Sequence, residues 1–155
     1  MKKIPIVFIG GAQRAVKMLE YLVARRDVTI CYAIFMNGYP NEIQYADMLE
    51  KLALKSGINY VRSDKITDEI MKVVRTSKVQ MILGGGTWRA MLEKEFLEAT
   101  PYGYISMHGS GLPSYRGWCP LNWQIICGEE QAVSRMFQLN DGVDAGPLVT
   151  DKYGN

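Results

Sequence analysis

Short apolar runs alternate with amphipathic stretches along most of this chain, and that alternation limits the fold more than any other feature. Ile4 to Ile9 is a continuous apolar run of strand length, as expected for a strand covered on both faces. Gly10-Gly11 turns into a stretch from Ala15 to Arg25, where Val16, Leu19, Leu22 and Val23 keep helical spacing. Val28 to Met36 reads as a second strand, rich in β-branched and aromatic residues. Glu42 to Lys55 reads as a helix stopped at Ser56-Gly57, and Ile58 to Val61 as a third strand. Thr67 is placed to cap a helix over Asp68 to Arg75. Val79 to Leu83 is the fourth predicted strand, closed by Gly84-Gly85-Gly86, and Arg89 to Ala99 is amphipathic. Gly103 to Met107 is the fifth strand and Leu121 to Cys127 a helix; Val133 to Leu139 and Gly146 to Val149 read as two closing strands. The alternation predicts an α/β fold: an open, mostly parallel sheet with helices on both faces, built as one domain over residues 1–155.

Composition narrows the function. A net charge of +2 is too small to make nucleic acid or an anionic membrane the main partner. No apolar run approaches the roughly 20 residues that span a bilayer. Lys2-Lys3 followed by an apolar run has a superficial likeness to a leader, but Gly10-Gly11 and Gln13-Arg14 interrupt it, and a first strand is the better reading. Cys31, Cys119 and Cys127 form neither a disulfide framework nor a metal-binding pattern, which predicts a cytoplasmic protein without a metal.

The only histidine, His108, stands at the end of the fifth predicted strand and opens the loop Gly109-Ser110-Gly111-Leu112-Pro113-Ser114-Tyr115-Arg116-Gly117. An imidazole there suits proton transfer, because ligands of open α/β sheets bind beyond the carboxyl ends of the strands. Gly10-Gly11 and Gly84-Gly85-Gly86 end strands on the same edge. Gly10-Gly11 lacks the spacing of a dinucleotide fingerprint, and Phe35, Met36 and Asn37 stand where an acidic residue would close the second strand. The pair reads as a tight turn or as an anion site at a helix start. The triple glycine reads as a flexible turn or as room for a flat ligand.

His108-Gly-Ser-Gly-Leu-Pro-Ser-Tyr-Arg-Gly, then Pro120-Leu121-Asn122-Trp123, then Asp141-Gly142-Val143-Asp144-Ala145-Gly146-Pro147, resembles the formyltransferases that use 10-formyltetrahydrofolate. Asp144 stands 36 residues after His108, the spacing of that family's histidine and aspartate. The resemblance implies a Rossmann-like catalytic domain that passes a formyl group from 10-formyltetrahydrofolate to the primary amine of a small acceptor, an amino sugar nucleotide among the candidates. It implies His108 as acid/base and oxyanion donor, with Asp144 beside it favouring its protonated form. It places the pterin site at Trp88, Arg89, Ala90 and Met91, and a wrapping loop at Asn140, Asp141, Gly142 and Val143. Gly10, Gly11, Ser110 and Arg116 fall on the substrate and loop side. Each of these residues also has a structural reading: Trp88 as a core cover, Asp144 as a turn residue, Arg116 as a surface charge or loop strut.

Two departures from the family pattern carry consequences. Ser106 occupies the position of the family's asparagine, replacing a fixed N–H donor of long reach with a short rotating hydroxyl. Loss of one oxyanion donor costs about 10²–10³ in rate. The chain given ends at Asn155, soon after Asp144, so exposed apolar sheet surface and homo-oligomer formation are expected. Three readings stay open: a formyltransferase, a hydrolase releasing formate from the same folate, and a catalytically weak or inactive folate-binding relative.

Overall fold

The computed structural model describes residues 3–85, 88 and 91–149. Six strands form one sheet in the order β3-β2-β1-β4-β5-β6, where β1 is Ile4–Gly10, β2 Val28–Phe35, β3 Tyr60–Arg62, β4 Met81–Gly84, β5 Tyr104–His108 and β6 Arg135–Gln138. All pairings are parallel except the last, in which β6 runs antiparallel to β5 and sets His108 opposite Arg135. Strand order reverses between β1 and β4, so the crevice for a ligand opens there, beyond the carboxyl ends of the strands. The predicted α/β class and mostly parallel sheet match this architecture.

Period-two alternation along β1 serves two cores at once. Ile6 and Phe8 pack with Ala15, Val16, Leu19 and Leu22 of α1 (Gln13–Ala24) and with Ala46, Leu49 and Ala53 of α2 (Tyr45–Lys55). Val7 and Ile9 face the other way, onto Ile70 and Val74 of α3 (Asp68–Thr76) and Phe96 and Leu97 of α4 (Lys94–Leu97). Thr67 caps α3 as expected, its hydroxyl accepting from the Ile70 N–H at 3.4 Å.

Two predicted elements fall short. The amphipathic stretch from Arg89 to Ala99 is helical only over the four residues of α4, with Arg89 and Ala90 outside the described residues. Trp88 and Leu92 satisfy their apolar character by packing on the second core without a helix, and Met91, though largely exposed, lines a cavity. The expected strand over Gly146 to Val149 is reduced to one bridge between Leu148 and Phe137. Pro147 has no N–H to extend a ladder; its carbonyl accepts from Gln138, and Val149 donates to the Met136 carbonyl.

Exposed apolar surface was expected on the sheet, but in the described residues it concentrates on α5 (Pro120–Ile126), whose Leu121, Trp123, Ile125 and Ile126 are exposed while Gln124 is buried. No helix of the described residues is long and apolar enough to cross a membrane.

The glycines at the strand ends allow close packing. A Cβ on Gly10 would collide with Ala15, and one on Gly85 would lie 2.8 Å from the Ala15 Cα and the Phe8 ring. Gly10→Ala should therefore destabilise the chain by about 1–3 kcal/mol through overpacking, read as a lower urea midpoint at unchanged slope.

Candidate active site

His108 is the last residue of β5 and is buried, at 8% exposure, although its ring borders a cavity of about 800 Å³ at the carboxyl edge of the sheet. Its Nε2 lies 2.8 Å from the Tyr115 carbonyl, and its Nδ1 lies 3.4 Å from Asp144 Oδ2. A carbonyl only accepts, so Nε2 carries a proton. An imidazolium satisfies both contacts, donating to the carbonyl and facing the carboxylate with its second N–H. The Phe137 ring meets the imidazole edge to face, with ring centroids 6.3 Å apart.

The loop after β5 returns on itself to supply that carbonyl. Ser110 is fully buried, and its hydroxyl donates to the Ser114 carbonyl at 2.6 Å, so this serine braces the loop. Tyr115 adopts a left-handed backbone, φ +55°, which turns its carbonyl back toward His108. Its phenol donates to Glu129 Oε1 at 2.6 Å, and that hydrogen bond to a carboxylate raises the phenol's ionisation above the usual tyrosine range. Asp144 is left-handed as well, φ +45°. Its Oδ2 accepts from the Gly117 N–H at 2.8 Å, so one carboxylate oxygen joins the loop to the imidazole. A bulky left-handed residue costs energy that the surrounding contacts must offset.

Ser106 points to the same side of β5 as His108, two residues earlier, and also borders the cavity. Its Oγ would sit 3.0 Å from a Cβ on Gly84, and the Tyr104 hydroxyl 2.8 Å from it. The space left by Gly84 therefore holds two cavity-lining hydroxyl side chains. Tyr104 is fully buried, and burial pushes its phenol well above the ordinary range, so it is a neutral donor here. Sequence reasoning passed over Tyr104 because it reads as a core aromatic.

The remaining predicted site residues divide. Trp88, Met91, Asn140, Gly142 and Val143 line the cavity, as does Gly11. Trp88 also packs against the core, so its two readings hold together. Arg89 and Ala90 lie outside the described residues. Gly10 is packed behind the cavity; Asp141 and Arg116 are exposed and do not border it. The Asn140 side chain accepts from Gly142 N–H at 3.0 Å, which shapes the loop leading to Asp144.

A polar network on the opposite rim was not anticipated. Asn37, just past β2, also lines the cavity, and its backbone N–H and its amide donate to Asp64 at 2.8 and 2.6 Å. Its amide oxygen accepts from Arg62 Nε at 2.6 Å, and Arg62 reaches on to Asp47 at 2.7 Å. The asparagine closing β2 is thus a fixed piece of wall. No cluster of metal-binding side chains occurs among the described residues.

Glu129→Gln removes the charge that holds the Tyr115 proton. The expected result is a fall of the Tyr115 ionisation toward the usual tyrosine range, seen as extra phenolate absorbance of the variant over the parent during an alkaline titration. Identical titration curves would remove Glu129 as the cause.

A sequence model described as formyl transferase matches residues 36–154. The methionyl-tRNA formyltransferase of Acetivibrio thermocellus is 29% identical over 147 residues, which make up 93% of this chain and 47% of that protein. The chain thus spans about half the length of the curated relatives it matches. Among solved structures, the phosphoribosylglycinamide formyltransferase of Anaplasma phagocytophilum superposes with a TM-score of 0.76 at 21% identity, covering 96% of this chain and 71% of that one. A formyltetrahydrofolate deformylase from Pseudomonas syringae superposes with a TM-score of 0.73 at 16% identity, covering 97% and 50% respectively. These structures share the fold. With the family match extending over most of the chain, including the whole His108 loop and Asp144, the chain belongs to the formyl transferase family.

Proposed function

We propose that residues 1–155 act as a catalytic unit that transfers the formyl group of 10-formyltetrahydrofolate to a primary amine. The observation that carries this reading is the His108–Asp144 pair in the lining of the cavity, 3.4 Å apart, with His108 Nε2 engaged by a carbonyl. The cavity volume lies in the range of small-molecule sites, which are mostly apolar with a few placed polar groups. Trp88, Met91, Leu139 and Val143 give it apolar walls, and Asn140 adds an amide. A flat pterin and its linker suit such a surface.

In the reaction the amine lone pair attacks the formyl carbon. The carbonyl electrons move onto oxygen, the bond to the folate nitrogen breaks, and one proton passes from the attacking ammonium to that nitrogen. The site must therefore donate to a developing oxyanion and carry a proton. His108 meets both needs. Its 3.4 Å contact with Asp144 is longer than a good hydrogen bond, so the Nδ1 N–H is held less firmly than the Nε2 N–H and is the one that can be shared with a substrate atom. Asp144 then holds the imidazolium charge during transfer. Ser106 stands on the same strand face as a second donor of short reach.

For the acceptor, the sequence pointed to a small amine such as an amino sugar nucleotide. The curated relatives above are named methionyl-tRNA formyltransferases, so methionyl-tRNA belongs in the same panel. Tetrahydrofolate release from 10-formyltetrahydrofolate should depend on one of these acceptors, and His108→Ala should lower it by about 10²–10⁴. Release without any acceptor would replace this reading with a hydrolase, and folate binding without release with a binding protein. Ser106→Asn restores the long amide donor and should raise turnover by about 10²; unchanged turnover would mean that position 106 does not limit the oxyanion step.

A further inference from the structure

Strand β5 carries three cavity-lining side chains at alternate positions of one face: Tyr104, Ser106 and His108. The reaction above uses the last two and leaves Tyr104 aside. Its ring belongs to the second core and meets Phe96 edge to face, with centroids 6.3 Å apart. Its hydroxyl does not stay level with its own backbone. Tyr104 pairs with Ile82 and Ile105 with Leu83, so the same register sets Gly84 beside Ser106. A Cβ on Gly84 would lie 2.8 Å from the Tyr104 oxygen and 3.0 Å from Ser106 Oγ. The ring therefore leans along β5 toward His108, and the phenol and the serine hydroxyl flank one point.

Neither oxygen is used inside the protein. The Tyr104 and Ser106 hydroxyls form no hydrogen bond among the described residues, although Tyr104 is fully buried and Ser106 nearly so. Other buried hydroxyls of this chain are spent: Ser110 donates to the Ser114 carbonyl, and Thr100 to the Gly103 carbonyl at 2.9 Å. A buried hydroxyl without a partner lowers stability, and phenylalanine would fill the same core space without that cost. A group in the cavity is the partner still open to it. Burial keeps the phenol protonated, so it has a proton to donate. His108 follows Ser106 by two residues, about 7 Å along the strand. That interval holds one small polar group with a hydrogen bond of about 2.8 Å on either side.

We propose that Tyr104 is a further catalytic residue: its hydroxyl, paired with that of Ser106, donates to the formyl oxygen of the bound folate. As the amine attacks, the carbonyl electrons gather on that oxygen, and the two hydroxyls stabilise them while keeping their protons. Two short donors then share the work of the one long amide that the family pattern places at position 106. The formyl oxygen as partner rests on the formyl-transfer reading; the pair of unengaged hydroxyls does not.

The test separates the formyl group from the rest of the folate. Tetrahydrofolate and 10-formyltetrahydrofolate are each titrated calorimetrically, without acceptor, into the full chain and into Tyr104→Phe. That substitution removes one oxygen and keeps the ring, and thermal melting checks the fold. The variant should bind 10-formyltetrahydrofolate about threefold to tenfold more weakly and tetrahydrofolate as the parent does. Its kcat should fall by about 10² with KM for the acceptor unchanged. Ser106→Asn should recover more turnover in the Tyr104→Phe background than it adds to the parent, because the amide then replaces a missing donor. Equal weakening of both folates, which damaged packing would give, overturns the proposal, as does unchanged affinity for the formylated one or an equal gain from Ser106→Asn in both backgrounds. Loss of the formyl preference in Tyr104→Phe, with no acceptor formylated by the parent, would overturn the proposed reaction and leave the Tyr104 contact standing. Binding of neither folate to the parent overturns both.

Discussion

The close approach of α1 to the sheet is the constraint on which the site depends. Ala15 sits over Gly10 and Gly85, where any side chain on either glycine would push the helix away. Because these positions carry hydrogen, the first turn of α1 lies across the ends of β1 and β4, over the point where strand order reverses. Helix position then sets the reach of Arg14 to the β5 carbonyl and the shape of the crevice below it. Gly84 does the same for the other wall, since its missing side chain leaves the volume into which Tyr104 and Ser106 project.

On this frame His108 and Asp144 are held by backbone as much as by side chains. The Tyr115 carbonyl fixes the proton on His108 Nε2, and the Gly117 N–H fixes the carboxylate of Asp144. Both come from one loop, tied down by the Ser110 hydroxyl inside it and by Glu129 outside it. The left-handed backbones of Tyr115 and Asp144 are the local cost of aiming these groups inward. Antiparallel β6 adds Phe137 against the imidazole and leads the chain to the Asp144 turn.

The sequence disclosed the parts of this arrangement that repeat. Ile6, Phe8, Leu19 and Leu22 show the two periods that mark strand and helix, and β1 and α1 fall where those periods place them. His108 and Asp144 were legible as a pair because of the loop between them and its likeness to a known family, and the structure sets them in contact. Arg116 was less legible: an arginine within a motif reads the same whether it faces the cavity or solvent, and here it faces solvent. Arg14 reads as an ordinary exposed helix residue, since nothing in a one-dimensional pattern shows a side chain crossing to β5. The Tyr115 carbonyl is invisible for a different reason: every residue carries a carbonyl, and only the fold selects one. The amphipathic stretch from Arg89 to Ala99 did not disclose how much of it is helix, because a cavity lining and a helix face make the same demand for apolar residues.

Helix α5 turns a usual preference inside out, with its glutamine buried. Gln124 donates to the Gly109 and Pro120 carbonyls at 2.7 and 3.2 Å and accepts from the Val133 N–H at 3.1 Å. One amide thereby clasps the start of the catalytic loop, the beginning of its own helix and the segment entering β6. These three stretches share a single latch, so they open together rather than fraying one by one. The loop after β5 owes part of its order to a polar side chain on a neighbouring helix, and that amide joins the apolar outer face of α5 to the residue next to His108.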